Sequence, residues 1–284
     1  MMPGPTRYVS SSQPVFSRVK ISRILGHLQA ARQFAVEARD VRAAFNRRFY
    51  HPATGQYDRG SQCANAMALA TGLVQTVNRN KVLHNLIANI VKHKYHTTAG
   101  DIGFHYVVQA LTDAGQSELL YKMATQTTPP SYGYQIAHGA TALTEAWNCN
   151  AGDSQDHFML GHIEQWFYSG LGGVQIDMAR KPGRQLEIRP AIVGNLRWVR
   201  VSYDSVLGKI VSNWRLVGNQ VTMHIVVPPN IRAQIYMPAR NAASVRINGK
   251  TAAQSGVKIF ALTTGQMVCE VPGGDYRLSA RRYP

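Results

Sequence analysis

The sequence predicts two regions of different class, helical hairpins first and an antiparallel β-sandwich second. Three observations carry that reading. Apolar residues recur at helical spacing from about Ile21 to Leu171. After Gly173 the apolar runs become short, β-branched and aromatic, with GN, NG and GG between them. A polar stretch, MARKPGRQ, stands where the period changes, as a linker would. The organisation this predicts is an irregular N-terminus over 1–20, a helical region over 21–175 and a sandwich over 176–284.

Taken in order, ISRILGHLQAARQFAVEARDVRAAFNRRF spaces Ile24, Leu28, Ala31 and Phe34 at helical intervals with charges between them. HPATGQYDRG breaks the pattern with Pro, Gly and Asp, so a loop is predicted. Ser61 then stands where an N-cap belongs, ahead of a second helix. Val82, Leu86, Ile87 and Ile90 mark a third. GFHYVVQALTDAG and SELLYKMATQT form a further pair joined at Gly115. HFMLGHIEQWFYSGLGG predicts a last helix closed by paired glycines, with Trp166, Phe167 and Tyr168 packed inward beside Leu160 and Ile163. Helices of this length with short links stack as hairpins, and no fixed-period repeat is present. VTMHIVVPP, RAQIYMP, ASVRING and YRLSA supply strands of the second region.

Composition narrows the function classes. The 284 residues are 45% hydrophobic, enough for a sizeable core, and no stretch of about 18 apolar residues exists to span a membrane. The first twenty residues lack the apolar centre of a secretory signal, which leaves the cytoplasm as the default compartment if Met1 is the native start. Cys63, Cys149 and Cys269 are too widely spaced for a zinc site, and three unpaired thiols are expected. His93 and His96 have no acidic or Cys partner nearby, so no metal is expected there, and no cofactor elsewhere. The net charge of +16 is uneven. Residues 1–50 carry nine Lys/Arg against two acids, 51–179 six against nine, and 180–284 sixteen against four. The basic flanks contain no block of five or six like charges and no nucleic-acid-binding motif, which favours a solvated basic surface over a nucleic-acid site.

Carboxylates are scarce, at fifteen, so their surroundings carry information. SYGYQIAHGATALTEAWNCNAGDSQDHFMLGH places Glu145 two residues before Trp147, with Tyr132, Tyr134, His138, Asp153, Asp156 and His157 around it. Aromatic faces with a few polar groups suit a sugar, and a carboxylate beside them can polarise a water for attack at an anomeric carbon. Local composition alone still accounts for Glu145 better as a solvated helix residue.

Several ordered segments resemble the bacterial α-L-rhamnosidases of glycoside hydrolase family 78. VRAAFNRRFYHPATGQYDRGSQCANAMALATGLV resembles one helix-loop-helix of their catalytic domain. TTAGDIGFHYVVQALTDAGQSELLYKMATQTTPPSYGYQIAHGATALTEAW resembles the portion ending in the catalytic-base motif. SQDHFMLGHIEQWFYSGLGGV resembles the following helix, and GRQLEIRPAIVGNLRWVRVSYDSVLGKIVSNWRLVGNQVTMHIVVPP the start of the C-terminal β-domain. The likeness runs from roughly residue 35 to 275. It implies part of an (α/α)6 barrel of helical hairpins followed by an antiparallel β-sandwich, and inverting hydrolysis of a terminal α-L-rhamnoside. It implies Glu145 as general base in a motif running through Trp147, and His157 as a sugar contact; the local aromatic and polar setting adds Tyr134, His138 and Asp156 as substrate-binding candidates.

This chain departs from the family pattern in three places. Thr144 stands where the family usually has Trp, and Asp156 where it tends to have Asn. Of the carboxylates before Glu145 (Glu37, Asp40, Asp58, Asp101, Asp113 and Glu118), none lies in the family's Asp- and Arg-rich acid motif, and Asp101 reads as an N-cap. The proton donor is therefore expected outside this sequence, with the chain a fragment whose unpaired helix faces favour self-association or pairing with the rest of a barrel. The alternatives are a non-catalytic carbohydrate-binding or scaffold remnant, and a binder of nucleic acid or another anionic surface.

Overall fold

A computed structural model of the protein describes residues 17–263 and 265–282. They form two compact units, one ending at Ile163 and the other beginning at Glu164. Of the N-terminal stretch predicted to be irregular, residues 1–16 lie outside the described residues, while 17–20 belong to a short helical run over 17–24. No Gly or Pro interrupts that run until Gly26, at φ +76°, ends it.

The first unit is helical. Its helices are α1 (Leu28–Phe49), α2 (Gln62–Ala70), α3 (Arg79–Lys92), α4 (Asp101–Asp113), α5 (Ser117–Ala124) and α6 (Tyr132–Ala137). Ser61 caps α2 as predicted, its Oγ accepting from Ala64 N at 3.1 Å. Helix α2 is buried on almost every side and packs against both α3 and α4. On α3 the inward stripe is Val82, Leu86 and Ile90. Gly115, at φ +69°, turns the chain between α4 and α5.

The predicted apolar stripe is split between the run over 17–24 and α1, and most of it is not buried. Ile24 and Leu28 are 59% and 60% exposed, and only Ala31 of the predicted stripe is buried. The helix is anchored by its C-terminal half instead, through Ala38, Phe45, Asn46 and Phe49. The predicted loop after it contains a small hairpin, β1 (Tyr50–His51) against β2 (Gln56–Tyr57). This hairpin inserts Tyr57 into the core, against the Phe45 ring at 5.5 Å. The Tyr57 hydroxyl donates to Asn46 Oδ1 at 2.6 Å, and Asn46 Nδ2 donates onward to Leu73 O at 2.8 Å. Burial pushes the Tyr57 phenol far above its ordinary range.

The apolar-aromatic segment after residue 157 is not one α-helix. A 3₁₀ turn (Phe158–His162) leads into α7 (Ile163–Trp166) and then a π-turn (Phe167–Leu171). Trp166 is buried, while Phe167 and Tyr168 are exposed to solvent. Consecutive residues of a helix point about 100° apart, so three in a row cannot share one inward face. Gly173 is required where it stands: a Cβ there would meet the Arg189 carbonyl carbon at 2.1 Å, and its φ is +72°.

The second unit stacks two sheets, built from β3 (Val174–Ile176), β4 (Leu186–Ile188), β5 (Trp198–Ser205), β6 (Gly208–Val217), β7 (Gln220–Val227), β8 (Ala233–Pro238), β9 (Arg246–Ile247), β10 (Lys250–Thr251), β11 (Lys258–Thr263), β12 (Gln266–Val271) and β13 (Gly274–Arg281). The six-stranded sheet runs β10-β9-β13-β7-β6-β5 and the five-stranded one β11-β12-β8-β4-β3. Pairing is antiparallel throughout, except that β4 lies parallel to β8. The GN and NG signals are hairpin turns. Gly218-Asn219 joins β6 to β7, and Asn248-Gly249, both at positive φ, joins β9 to β10. Alternate residues point inward, so Ile210, Trp214, Val221, Met223, Ile225 and Leu278 of one sheet meet Ile188, Ile235, Met267 and Cys269 within one shared core. Trp214 Nε1 donates to Leu171 O at 2.8 Å, and the Ser212 hydroxyl donates to Gly172 O at 2.6 Å. All three cysteines are free. Among the described residues no helix is long and apolar enough to cross a membrane.

Removing one donor tests each core. Tyr57→Phe strands Asn46 Oδ1 and Trp214→Phe strands the Leu171 carbonyl, each at about 1–3 kcal/mol. Leu86→Ala opens α3 at about 2–5 kcal/mol. Urea titration followed by circular dichroism reads these losses, and unchanged midpoints for both aromatic variants would show that the buried bonds contribute nothing net.

Candidate active site

The segment carrying Glu145 has no regular secondary structure. Ser131 Oγ caps α6 by accepting from Tyr134 N at 3.0 Å, and Gly139, at φ +79°, ends that helix. From there the chain runs out to a turn and back. His157 N donates to Leu143 O at 2.8 Å, and Glu145 N donates to Ser154 O at 2.9 Å. Ser154 N returns a bond to Glu145 Oε2 at 3.2 Å. At the tip, Cys149 takes up φ +54° and donates its N–H to Ala146 O at 3.0 Å. Thr144 is buried, and its hydroxyl donates to Ala146 O at 2.8 Å, so it braces the turn from within.

Trp147 forms one wall. Its Nε1 donates to Ala99 O at 3.2 Å, and its ring meets Phe104 and Tyr132 edge-on, with centroids 5.3 and 5.2 Å away. Tyr132 donates its hydroxyl to Leu160 O, and burial raises its phenol far above the ordinary value. The Glu145 side chain is exposed to solvent. Among the described residues no protein group donates to its Oε1, so that oxygen is open to a ligand or water.

A histidine group lies along the start of α4. Asp101 is the first helical residue and Gly100 the N-cap, which corrects the N-cap expectation for Asp101. The reason is spacing: its Oδ1 accepts from Ile102 N at 2.7 Å, the next residue, where a capping side chain reaches two or three further on. Its Oδ2 stands 3.7 Å from His157 Nε2. One turn along, the His105 ring lies 4.6 Å from that of His162. Burial holds His105 below the ordinary histidine value. Burial and then the charge of His105 hold His162 below it too, against the opposing pull of Asp101. Among the described residues, His105 Nδ1 and His157 Nε2 are buried without a hydrogen-bond partner.

Glu145, Trp147 and His157 are thus brought together on one hydrogen-bonded loop beside the start of α4. Asp156 flanks them, exposed, with its N–H donating to Ser154 Oγ at 3.4 Å. Tyr134 and His138 stack on each other at 3.8 Å by α6, and among the described residues no hydrogen bond or ring pair joins them to Glu145 or His157. Asp101, His105 and His162 escaped sequence reasoning as site residues. The available signal was the four-residue spacing of Asp101 and His105, which puts both on one helix face. No group of three metal-binding side chains occurs among the described residues.

The comparisons with known proteins identify the class. Residues 13–171 match the bacterial alpha-L-rhamnosidase 6 hairpin glycosidase domain, and residues 173–252 match the bacterial alpha-L-rhamnosidase C-terminal domain. The chain belongs to the bacterial α-L-rhamnosidase family. It is 27% identical over 236 residues to an alpha-L-rhamnosidase of Streptomyces avermitilis, covering 79% of this chain and 23% of that protein. The structure of Streptomyces avermitilis alpha-L-rhamnosidase complexed with L-rhamnose superposes with a TM-score of 0.85 at 22% identity, over 96% of this chain and 26% of the other. The alpha-L-rhamnosidase of Dictyoglumus thermophilum superposes at 0.84 with 26% identity, over 95% and 31%. The chain spans about a quarter of the length of the curated relatives it matches.

The histidine pair makes the helical unit acid-sensitive. Native His105 and His162 resist protonation, whereas in the unfolded chain they take up protons near 6.5. The unfolded state therefore binds more protons, and stability present above about 6.5 falls as pH drops toward the lowered native values. Thermal unfolding of the helical unit is expected at lower temperature at pH 5.5 than at pH 7.5. In the His105→Gln, His162→Gln double variant that difference shrinks, and an unaltered difference would assign the acid sensitivity to other groups.

Proposed function

We propose that this chain supplies the general-base side of an inverting hydrolysis of a terminal α-L-rhamnoside, with Glu145 as the base. The observation that supports this reading is the clamp between residues 143–145 and 154–157, in a chain of this family. It fixes Glu145 by one oxygen on Ser154 N and leaves Oε1 open to draw a proton from water. Trp147 and His157 belong to the same clamped loop, which supports giving them sugar-contacting roles. There His157 bonds a sugar hydroxyl and Trp147 offers an apolar face to the ring. Asp156 faces a further hydroxyl, and the Tyr134–His138 stack forms an outer contact. Residues 21–175 then serve as the C-terminal part of an (α/α)6 catalytic domain, with 176–284 as its β-sandwich companion.

An inverting enzyme separates its two carboxyl groups by about 6.5–9.5 Å to admit the attacking water. Asp101 is engaged with His157 and Ile102 N, so we assign it to holding the histidine, and no acid is assigned within this chain. A natural rhamnoside is then cleaved about 10²–10⁴-fold more slowly than with a positioned proton donor, while an aryl rhamnoside with a good leaving group is less affected.

The test is aryl α-L-rhamnoside hydrolysis by the purified chain, with L-rhamnose binding measured in parallel. Glu145→Gln is expected to lower the hydrolysis rate by about 10²–10⁴ and leave binding within a few-fold of native. Equal hydrolysis by native chain and variant would remove Glu145 from the mechanism. Rhamnose binding with no hydrolysis by the native chain would replace the hydrolytic reading with a sugar-binding one.

A further inference from the structure

The outer face of the six-stranded sheet carries a second feature, unrelated to Glu145. Side chains alternate across a strand, so the residues opposite the core of β5, β6, β7 and β13 share one solvent face. The pairing register sets them in two rows across the sheet. Arg200 stands opposite Asn213, Asn213 opposite His224, and His224 opposite Arg277. The next row runs Trp198, Arg215, Thr222, Ser279 and Arg246. These rows line an open groove of about 1040 Å³ with no carboxylate in its wall. A second depression adjoins it, sharing Arg246 and Ser279 and adding Arg240 and Arg281, so the basic track continues past the groove.

Two buried acids of this unit are engaged away from this face, while Asp204 and Asp275 share its solvent side. Glu270 takes Arg232 and Arg184, and Glu187 takes Arg180 and Arg189, all in or beside the five-stranded sheet. Asp275 is bonded to His224 at 3.0 Å. Among the described residues, Arg200, Arg215, Arg246 and Arg277 form no ion pair with a carboxylate. Trp198 is 61% exposed at one end of the track, with the Arg200 guanidinium 5.5 Å from its ring.

We propose that this face binds an acidic polysaccharide, a chain bearing uronate carboxylates. Strands lie about 4.8 Å apart, so Arg200 and Arg277, three strands apart in their row, and Arg215 and Arg246 in theirs, are each spaced by about 14 Å, the reach of a few sugar units carrying carboxylates along one chain. Arginine holds a carboxylate through two parallel N–H bonds. Trp198 offers a flat face for one pyranose ring, while Asn213, Thr222 and Ser279 reach its hydroxyls. Nucleic acid fits less well. Single strands bind along successive exposed aromatics, and this groove exposes one. A double helix takes a helix or narrow ribbon in its major groove, which a broad sheet face does not present.

The experiment measures binding of polygalacturonate, neutral dextran and a single-stranded oligothymidylate to the full chain at two salt concentrations. Polygalacturonate is expected to bind, dextran not, and the oligonucleotide more weakly. The double variant Arg200→Gln, Arg277→Gln is expected to lose on the order of tenfold in polygalacturonate affinity. Arg32→Ala with Lys92→Ala, which removes two exposed cations from the helical unit, leaves that affinity unchanged. Should the sheet variant fail to fold, phenylglyoxal labelling of the native chain reads the same contact: polygalacturonate is expected to protect Arg200 and Arg277 and spare Arg32. Equal losses in both variants, tighter oligonucleotide binding, or no protection would each overturn the proposal. None of these outcomes depends on hydrolysis at Glu145.

Discussion

Three hydrogen bonds between residues 143–145 and 154–157 hold the loop that carries the candidate site. The segment they join has neither helix nor strand, so its backbone polar groups depend on this pairing and on the side chains of Thr144, Asn148 and Asn150. The loop is tied to the helical unit at two further points, by Trp147 on the Ala99 carbonyl and His157 near Asp101. Without that docking, Glu145 would sit on a long flexible excursion. With it, the carboxylate, the indole and the imidazole share one frame, supported by Phe104 and Tyr132 behind. Catalytic groups are typically carried this way, on loops positioned by a more rigid scaffold.

The periods of the sequence carried the class of each region, because hydrophobic spacing directly reports which face is buried. The stripe Val82, Leu86, Ile90 and the capping of α2 by Ser61 were readable for that reason. The hairpin around Tyr57 was hidden by its Pro, Gly and Asp content, since a loop and a tight hairpin use the same residues. Ile24 and Leu28 misled because periodicity tells which side of a helix is apolar, and says nothing of whether a partner covers it. The last helix is broken into 3₁₀, α and π turns around a buried Trp166, which local periodicity does not encode.

The candidate site was legible through resemblance far more than through composition. Glu145, Trp147 and His157 lie within thirteen residues, and the structure gathers them. Tyr134 and His138 were grouped with them by nearness in sequence, yet they stack on a separate short helix. Asp101, His105 and His162 come from distant segments, and their meeting depends on how α4 packs against the 3₁₀ turn. Thr144 was noticed as a departure, and its internal bond to Ala146 shows what a small hydroxyl does there.

The position of β13 within its sheet sets a condition on how the molecule is made. Residues 274–281 pair with β7 on one side and β9 on the other, so this late strand is interior. The five-stranded sheet likewise joins β3 and β4, at the start of the unit, to β8 and β12 much later in the chain. Neither layer closes until residues beyond 270 have left the ribosome, because the strands that seal them are synthesised last. Until then the β6–β7 hairpin presents an unpaired edge, the surface on which aggregation begins. Folding of this unit therefore waits for translation of its own end.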